Sequence, residues 1–291
     1  MKRRTILKSV LASAFITENL GNRLQAAENQ LDTLTKGQIN HSACRWCYND
    51  IPLEDFCKKG KAMGLVAIDL LEPNEWATAK KYDLQASMGS TFPGQAFHIK
   101  KGFNKIENHK ILWEYYEDII PKAANAGLKT IICFSGNREG MSDEMGIGNA
   151  AIGLRKLMQL AEKHNITMCM ELLNSKVDHQ DYQCDKTDWG VALCKAVGSE
   201  NFKLLYDIYH MQIMEGDVIR TIKENQQYVA HYHTGGVPGR HEIDDSQELY
   251  YPAIMKAIVE TGYKGFVAQE FIPTNANKLL SLEKCMKICD V

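Results

Sequence analysis

Four short apolar runs in the second half of the chain each close on an ionisable residue. They are Met168-Cys169-Met170-Glu171, Leu204-Leu205-Tyr206-Asp207, Ala230-His231-Tyr232-His233 and Phe266-Val267-Ala268-Gln269-Glu270. In a strand, side chains two apart share a face, so Cys169 lies with Glu171, Leu205 with Asp207, His231 with His233 and Ala268 with Glu270. Taken singly, each has an ordinary explanation: an acid at a strand end caps the next helix, and a lone histidine fills a core. Taken together on an inward face, three carboxylates would repel one another and hold on to their protons unless a cation neutralised them. Glu171, Asp207, His233 and Glu270 are therefore candidate ligands of one divalent metal ion. Three oxygens and one imidazole suit Mn²⁺, Mg²⁺ or Co²⁺, with Zn²⁺ an alternative.

Further polar residues lie close by in sequence. Asn174 follows Glu171 by three, His210 follows Asp207 by three, and the segment Thr234-Gly235-Gly236-Val237-Pro238-Gly239-Arg240-His241-Glu242 follows His233. Asn174, His210 and Arg240 are candidate contacts to a small oxygenated substrate, the arginine through a planar fork that matches a carboxylate. Gly235 and Gly236 offer an alternative, since barrels often take phosphate near their seventh and eighth strands.

The elements that must position these residues read as a repeating βα pattern from residue 38 onward. Strands are expected over 39–44, 65–71, 84–88, 130–134, 167–172, 202–208, 229–233 and 265–271. Helices are expected over 53–63, 75–81, 110–126, 148–164, 186–197, 217–225, 247–260 and 276–289, several closing on glycine as helices commonly do. Eight units of about 32 residues match a single (β/α)8 TIM barrel of the α/β class, with its active site at the C-terminal ends of the strands. A doubly wound open sheet is the alternative, but its glycine-rich dinucleotide fingerprint is missing after the first strand, where Cys44-Arg45-Trp46-Cys47 stands instead. The long connection 89–109 is expected to form a lid or a substrate wall.

Composition sets the outer limits. The 291 residues are 45% hydrophobic and 24% charged, with Gly 21 and Pro 7, which excludes a disordered, collagenous or small disulfide-stapled chain. A net charge of −2 with no long basic run leaves no footprint for nucleic acid. No apolar run reaches the roughly 18 to 20 residues of a membrane span. Residues 1–30 nevertheless resemble a twin-arginine export leader, with Arg3 and Arg4 ahead of a short apolar patch and Leu24-Gln25-Ala26-Ala27 as a cleavage site. The expectation is a leader over 1–30 and a barrel over 38–291, periplasmic where the leader works and cytoplasmic otherwise. Nine irregularly spaced cysteines do not form a disulfide framework, and Cys44, Cys47, Cys285 and Cys289 read as packing residues in preference to a zinc site.

With these segments in view, the chain resembles the xylose isomerase-like barrel superfamily, and most of all its hydroxypyruvate isomerase branch. The matching stretches are Glu171-Leu172-Leu173-Asn174-Ser175, Asp207-Ile208-Tyr209-His210, His231-Tyr232-His233, Pro238-Gly239-Arg240-His241-Glu242 and Gln269-Glu270-Phe271. The resemblance implies metal ligands at Glu171, Asp207, His233 and Glu270, with Glu171 and Glu270 as the acid/base pair and His210 and Arg240 on the substrate. One departure bears on the substrate: bacterial hydroxypyruvate isomerases tend to carry glutamine where this chain has His233, whereas the related ketose 3-epimerases carry histidine. The DNA-repair endonucleases of the superfamily need further histidines from earlier strands, which Asp69-Leu70-Leu71-Glu72 and Cys133-Phe134-Ser135-Gly136 do not supply.

The chemistry expected from this resemblance is proton transfer on a small hydroxycarbonyl compound, of the hydroxypyruvate to tartronate semialdehyde type. The metal chelates the carbonyl and its neighbouring hydroxyl, one glutamate removes the acidified proton, and the other returns a proton to the resulting enediolate. Alternatives are a ketose 3-epimerase, a sugar-phosphate isomerase or epimerase, or a non-catalytic sugar-binding barrel stabilised by its metal. A Schiff-base aldolase is disfavoured, because no strand carries a lysine near its C-terminal end. Assembly into a homo-oligomer is compatible with the aromatic residues Trp46, Phe92, Phe97, Phe103 and Trp113.

Overall fold

The structure, a computed structural model, describes residues 37–90 and 99–291; the leader-like segment 1–30 and part of the 89–109 connection lie outside the described residues. Its strands are β1 (Asn40–Ala43), β2 (Ala67–Ile68), β3 (Gln85–Ala86), β4 (Thr130–Cys133), β5 (Thr167–Glu171), β6 (Phe202–Asp207), β7 (Val229–Thr234) and β8 (Phe266–Gln269). Among the described residues the helices are α1 (Leu53–Met63), α2 (Trp76–Lys81), α3 (His109–Ala126), α4 (Asp143–His164), α5 (Thr187–Val197), α6 (Ile208–Met214), α7 (Val218–Asn225), α8 (Tyr251–Glu260) and α9 (Lys278–Cys289).

All named strand pairs are parallel. Six strands run in the order β1-β8-β7-β6-β5-β4, and β2 pairs with β3. The gap between these sheets is closed by parallel bridges from Cys44 to Asp69, Leu71 to Gly89 and Gly89 to Ile131. The Asp69 amide donates to the Ala43 carbonyl at 2.8 Å, and that of Ile132 to Gly89 at 3.2 Å. The eight strands thus close in sequence order, the TIM-barrel arrangement, with helices alternating along the chain.

The expected strands are all present, but β2 and β3 keep only two residues each of their apolar runs. Three helices differ from the sequence reading; α8 begins at Tyr251, with Pro252 in its first turn, and not at 247. Helix α4 starts at Asp143, not at 148: the Ser142 side chain accepts from the Met145 amide, and Asp143 and Glu144 fill the first turn. Its glycines mark close packing, since a Cβ on Gly146 would lie 2.2 Å from Gln183 and one on Gly153 would lie 2.7 Å from the His109 ring. The sequence pattern does not predict helix α6, because the apolar run of β6 continues through Ile208. Asp207 ends β6 and caps α6 at once, its carboxylate accepting the His210 amide.

Candidate metal and active site

The C-terminal ends of β5, β6, β7 and β8 bring Glu171, Asp207, His233 and Glu270 together. One ligand atom from each lies within 4.8 Å of all the others, and all four residues are buried. The register explains the convergence. Asp207 stands opposite His233, Thr234 stands opposite Gln269, and the Glu270 amide then donates to the Thr234 carbonyl at 3.0 Å. His233 Nδ1 is the hub, at 2.7 Å from Glu270 Oε2, 3.4 Å from Glu171 Oε1 and 4.0 Å from Asp207 Oδ2. It nevertheless makes no hydrogen bond. A buried imidazole nitrogen close to three carboxylates but hydrogen-bonded to none of them fits a cation site, and the spread compares with the about 4.2 Å between opposite ligands held at about 2.1 Å.

Arg240 and Trp46 complete the cluster. The Arg240 guanidinium donates to Glu270 Oε2 at 2.5 Å and to Asp207 Oδ2 at 3.2 Å, and lies over the Trp46 and Tyr209 rings at 5.3 and 5.4 Å. The fork expected to meet a substrate carboxylate is therefore engaged with the protein's own carboxylates. Trp46 Nε1 donates to Glu270 Oε1 at 2.7 Å, a role the sequence reading missed, although it had noted the residue.

These surroundings split the acids. Burial and the Glu270 charge push the Glu171 carboxyl up. Burial, reinforced by Glu270 and Glu171, pushes Asp207 up to about 8 against the pull of Arg240. Burial also opposes ionisation of Glu270, but Arg240, His233 and the Trp46 hydrogen bond outweigh it and hold that carboxyl well below its ordinary range.

His210 and Asn174 form a second tier. Asn174 Oδ1 accepts the amides of Val177 and Asp178 at 3.0 and 2.9 Å, so its Nδ2 must be the group 2.7 Å from His210 Nδ1. His210 consequently carries its proton on Nε2, which has no hydrogen-bond partner and lies 3.6 Å from Asp207 Oδ2. Burial and the Arg240 charge hold the ring well below its usual proton affinity, making it a neutral donor aimed at the cluster. The Asn174 Nδ2 also donates to Asp178 Oδ2 at 2.6 Å, so its hydrogen-bonding capacity is spent and it acts on the site through His210.

The glycines considered as a phosphate cradle are committed elsewhere: the Gly235 amide donates to Tyr251 Oη and that of Gly236 to the His241 carbonyl, both at 2.9 Å. Cys285 and Cys289 lie on the buried face of α9 with Leu282, as packing residues do. The other group of potential ligands among the described residues is Cys44, Asp69 and His233, behind the first. Asp69 closes the short β2 run just as the later acids close theirs, but a strand read through Leu71 left it in mid-run and hid the signal.

A family model for the xylose isomerase-like TIM barrel matches residues 75–285. The chain is 37% identical over 113 residues to the 2-oxo-tetronate isomerase of Cupriavidus necator, covering 39% of this chain and 43% of that protein. It is 30% identical over 148 residues to the hydroxypyruvate isomerase of Escherichia coli, covering 50% of this chain and 57% of that protein. The matched stretches thus span roughly half the length of these curated relatives. Among solved structures, D-psicose 3-epimerase with D-tagatose from Clostridium cellulolyticum H10 superposes with a TM-score of 0.68 at 16% identity, over 87% of this chain and all of that one.

Proposed function

The chain belongs to the xylose isomerase-like TIM barrel family, and from that premise we propose that it is a divalent-cation-dependent isomerase or epimerase of a small hydroxycarbonyl compound. The observation that carries this reading is the cluster of Glu171, Asp207, Glu270 and His233 Nδ1, the last with no hydrogen bond of its own, at four consecutive strand ends. Glu171, Asp207, His233 and Glu270 would hold Mn²⁺, Mg²⁺, Co²⁺ or Zn²⁺, which when bound supplies the positive charge that acidifies a C–H beside a carbonyl.

The chain's own groups do the rest. Glu171 and Glu270 reach one cluster from β5 and from the end of β8, with opposite proton affinities in the cation-free site. One removes the proton from the carbon beside the carbonyl, and the other returns a proton to the opposite face of that carbon (epimerisation) or to the neighbouring carbon (isomerisation), in which case the hydroxyl proton also passes from its oxygen to the former carbonyl oxygen. His210, fixed by Asn174 as an Nε2 donor, hydrogen-bonds a substrate oxygen, and Arg240, held on Asp207 and Glu270, contributes its positive charge to the developing negative charge.

Relatives named hydroxypyruvate isomerase and 2-oxo-tetronate isomerase favour a short 2-oxo acid. His233, where the resemblance associates histidine with ketose 3-epimerases, favours a ketose as the second reading. NMR in D₂O with Mn²⁺-loaded and EDTA-stripped protein separates them. Metal-dependent deuterium incorporation into hydroxypyruvate or 2-oxo-tetronate supports the first, and incorporation at C3 of a ketose the second. Silence across both panels overturns proton transfer for these substrates. The same proposal takes residues 1–30 as an export leader and 38–291 as the barrel, periplasmic after export, checked by N-terminal sequencing of protein from the periplasmic fraction.

A further inference from the structure

Behind the cluster, Asp69 is the meeting point of four strands. It is fully buried directly after β2. Its Oδ2 accepts from His233 Nε2 at 2.9 Å and lies 3.4 Å from the Cys44 sulfur at the end of β1. Its Oδ1 accepts from Ser87 Oγ, just past β3, at 2.5 Å, and His231 Nε2 from β7 stands 3.0 Å away. Ser87 is held in turn by Ser42 of β1 at 2.6 Å. The backbone is fixed too, with the Asp69 amide on the Ala43 carbonyl and the Arg45 amide on the Asp69 carbonyl at 3.0 Å.

We infer that Asp69 is a positioning residue for the cation site: by accepting the Nε2 proton of His233 it fixes the ring's orientation, so that Nδ1 faces Glu171, Asp207 and Glu270 and is the nitrogen left to ligate a cation once it gives up any proton of its own. The inference rests on the reading of that cluster as a cation site. An imidazole offers one nitrogen to a metal and must place the other. A carboxylate on that second nitrogen locks the rotation and makes the ligating nitrogen more basic, and loss of such a partner typically weakens metal binding by about 10- to 100-fold. Burying a carboxylate without compensation is costly, and here Ser87, His233 and the nearby His231 offset that cost. With its oxygens so engaged, Asp69 serves His233 and does not itself hold a second ion.

Mn²⁺ titration of the full chain and of Asp69→Asn, followed by calorimetry and by the EPR signal of free Mn²⁺, tests this. Asparagine keeps the shape and loses the charge. The expected result is one ion per wild-type chain and a Kd raised roughly 10- to 100-fold in the variant. An unchanged Kd accompanied only by a lower melting temperature makes Asp69 a packing residue and overturns the inference, while the cation site stands. Two ions per chain, one of them lost in Cys44→Ala, overturn it differently, by making Asp69 a ligand. No binding by the wild type overturns both this inference and the function it rests on. Should the variant not fold, ¹⁵N chemical shifts of His233 in the Mg²⁺- or Zn²⁺-loaded wild type decide: a protonated Nε2 supports the inference, and a metallated Nε2 ends it.

Discussion

The barrel has a regular arc and an irregular one. From β4 through β8 to β1 the strands are four to six residues long and each pair is in register over three or four, with one register shift between β6 and β7, whereas β2 and β3 pair over two and are completed by single bridges. The regular arc carries the groups that face the cluster: Glu171, Asp207, His233 and Glu270. The irregular one, with the 3-10 turn Arg45–Tyr48 leading into it, carries groups that hold them: Trp46 on Glu270, and Asp69 with Ser87 behind His233. Ligands need the even spacing of a continuous sheet to converge, while a supporting residue needs only one correctly aimed atom. Short strands suffice for support.

The division is tested most severely by Glu270→Gln. It should lower turnover by roughly 10³-fold or more, since on the proposed reading it removes both a proton carrier and a ligand, and the loss of a buried charge paired with Arg240 should lower the melting temperature as well. Turnover within about tenfold of wild type would mean that the regular arc does not carry the chemistry. Trp46→Phe probes the supporting side. Losing one hydrogen bond to a buried carboxylate should cost about 1.5 kcal/mol, roughly tenfold in kcat by steady-state kinetics.

Protons should compete with the cation in the regular arc. Asp207, pushed up to about 8 by burial and its acidic neighbours, is protonated below that pH, so binding a divalent ion releases a proton. Affinity should therefore fall as pH drops, the more so because Glu171 and His233 also hold their protons more tightly here, with calorimetry in buffers of different ionisation enthalpy reporting proton release. A pH-independent affinity would place the proton elsewhere.

The smallest effect marks the edge of the comparison. Glu242 follows β7, yet it ties its loop to the segment ahead of α9. Its carboxylate accepts from the Thr274 amide and hydroxyl at 2.8 and 2.9 Å and from Ser281 Oγ at 2.7 Å. Burial works against the charge, but these hydrogen bonds hold the carboxyl down at about 2. Because the folded state binds this proton less readily than the unfolded chain, its stabilisation is complete above an ordinary value near 4.5 and is lost as pH falls toward 2. Allowing for solvent screening, Glu242→Gln should cost about 1 kcal/mol at neutral pH, a melting shift of roughly 2–4 °C, and leave Mn²⁺ affinity unchanged, the reverse of Asp69→Asn.

The same division governs what could be read from the residues alone. Apolar runs closed by an ionisable residue located Glu171, Asp207, His233 and Glu270, because a fully buried parallel strand leaves a continuous hydrophobic signature. Where pairing shrinks to two residues, as around Ala67 and Gln85, the signature stretches past the strand, and Asp69 disappears inside it. Helix α6 was hidden for a related reason: Ile208 continues the apolar run of β6, and nothing in the spacing says that Asp207 ends a strand and caps a helix together. The spent hydrogen bonds of Asn174 and the Trp46 bond to Glu270 depend on contacts between distant segments, which no local pattern records.

Closure between the first strand and the last sets an order in time. β4 through β8 can assemble neighbour on neighbour, and β1 can meet the β2 segment nearby in sequence, but on its other edge Asn40 to Ala43 pair with Phe266 to Gln269 at the far end of the chain, and the Gly37 amide bonds the side chain of Asp290. That encounter closes the longest loop of any strand pair in the barrel. Until it happens, the edge of β1 lies open to other chains and Trp46 has no Glu270 to meet. The step that seals the barrel is therefore also the step that finishes the site, so an unfinished molecule has neither.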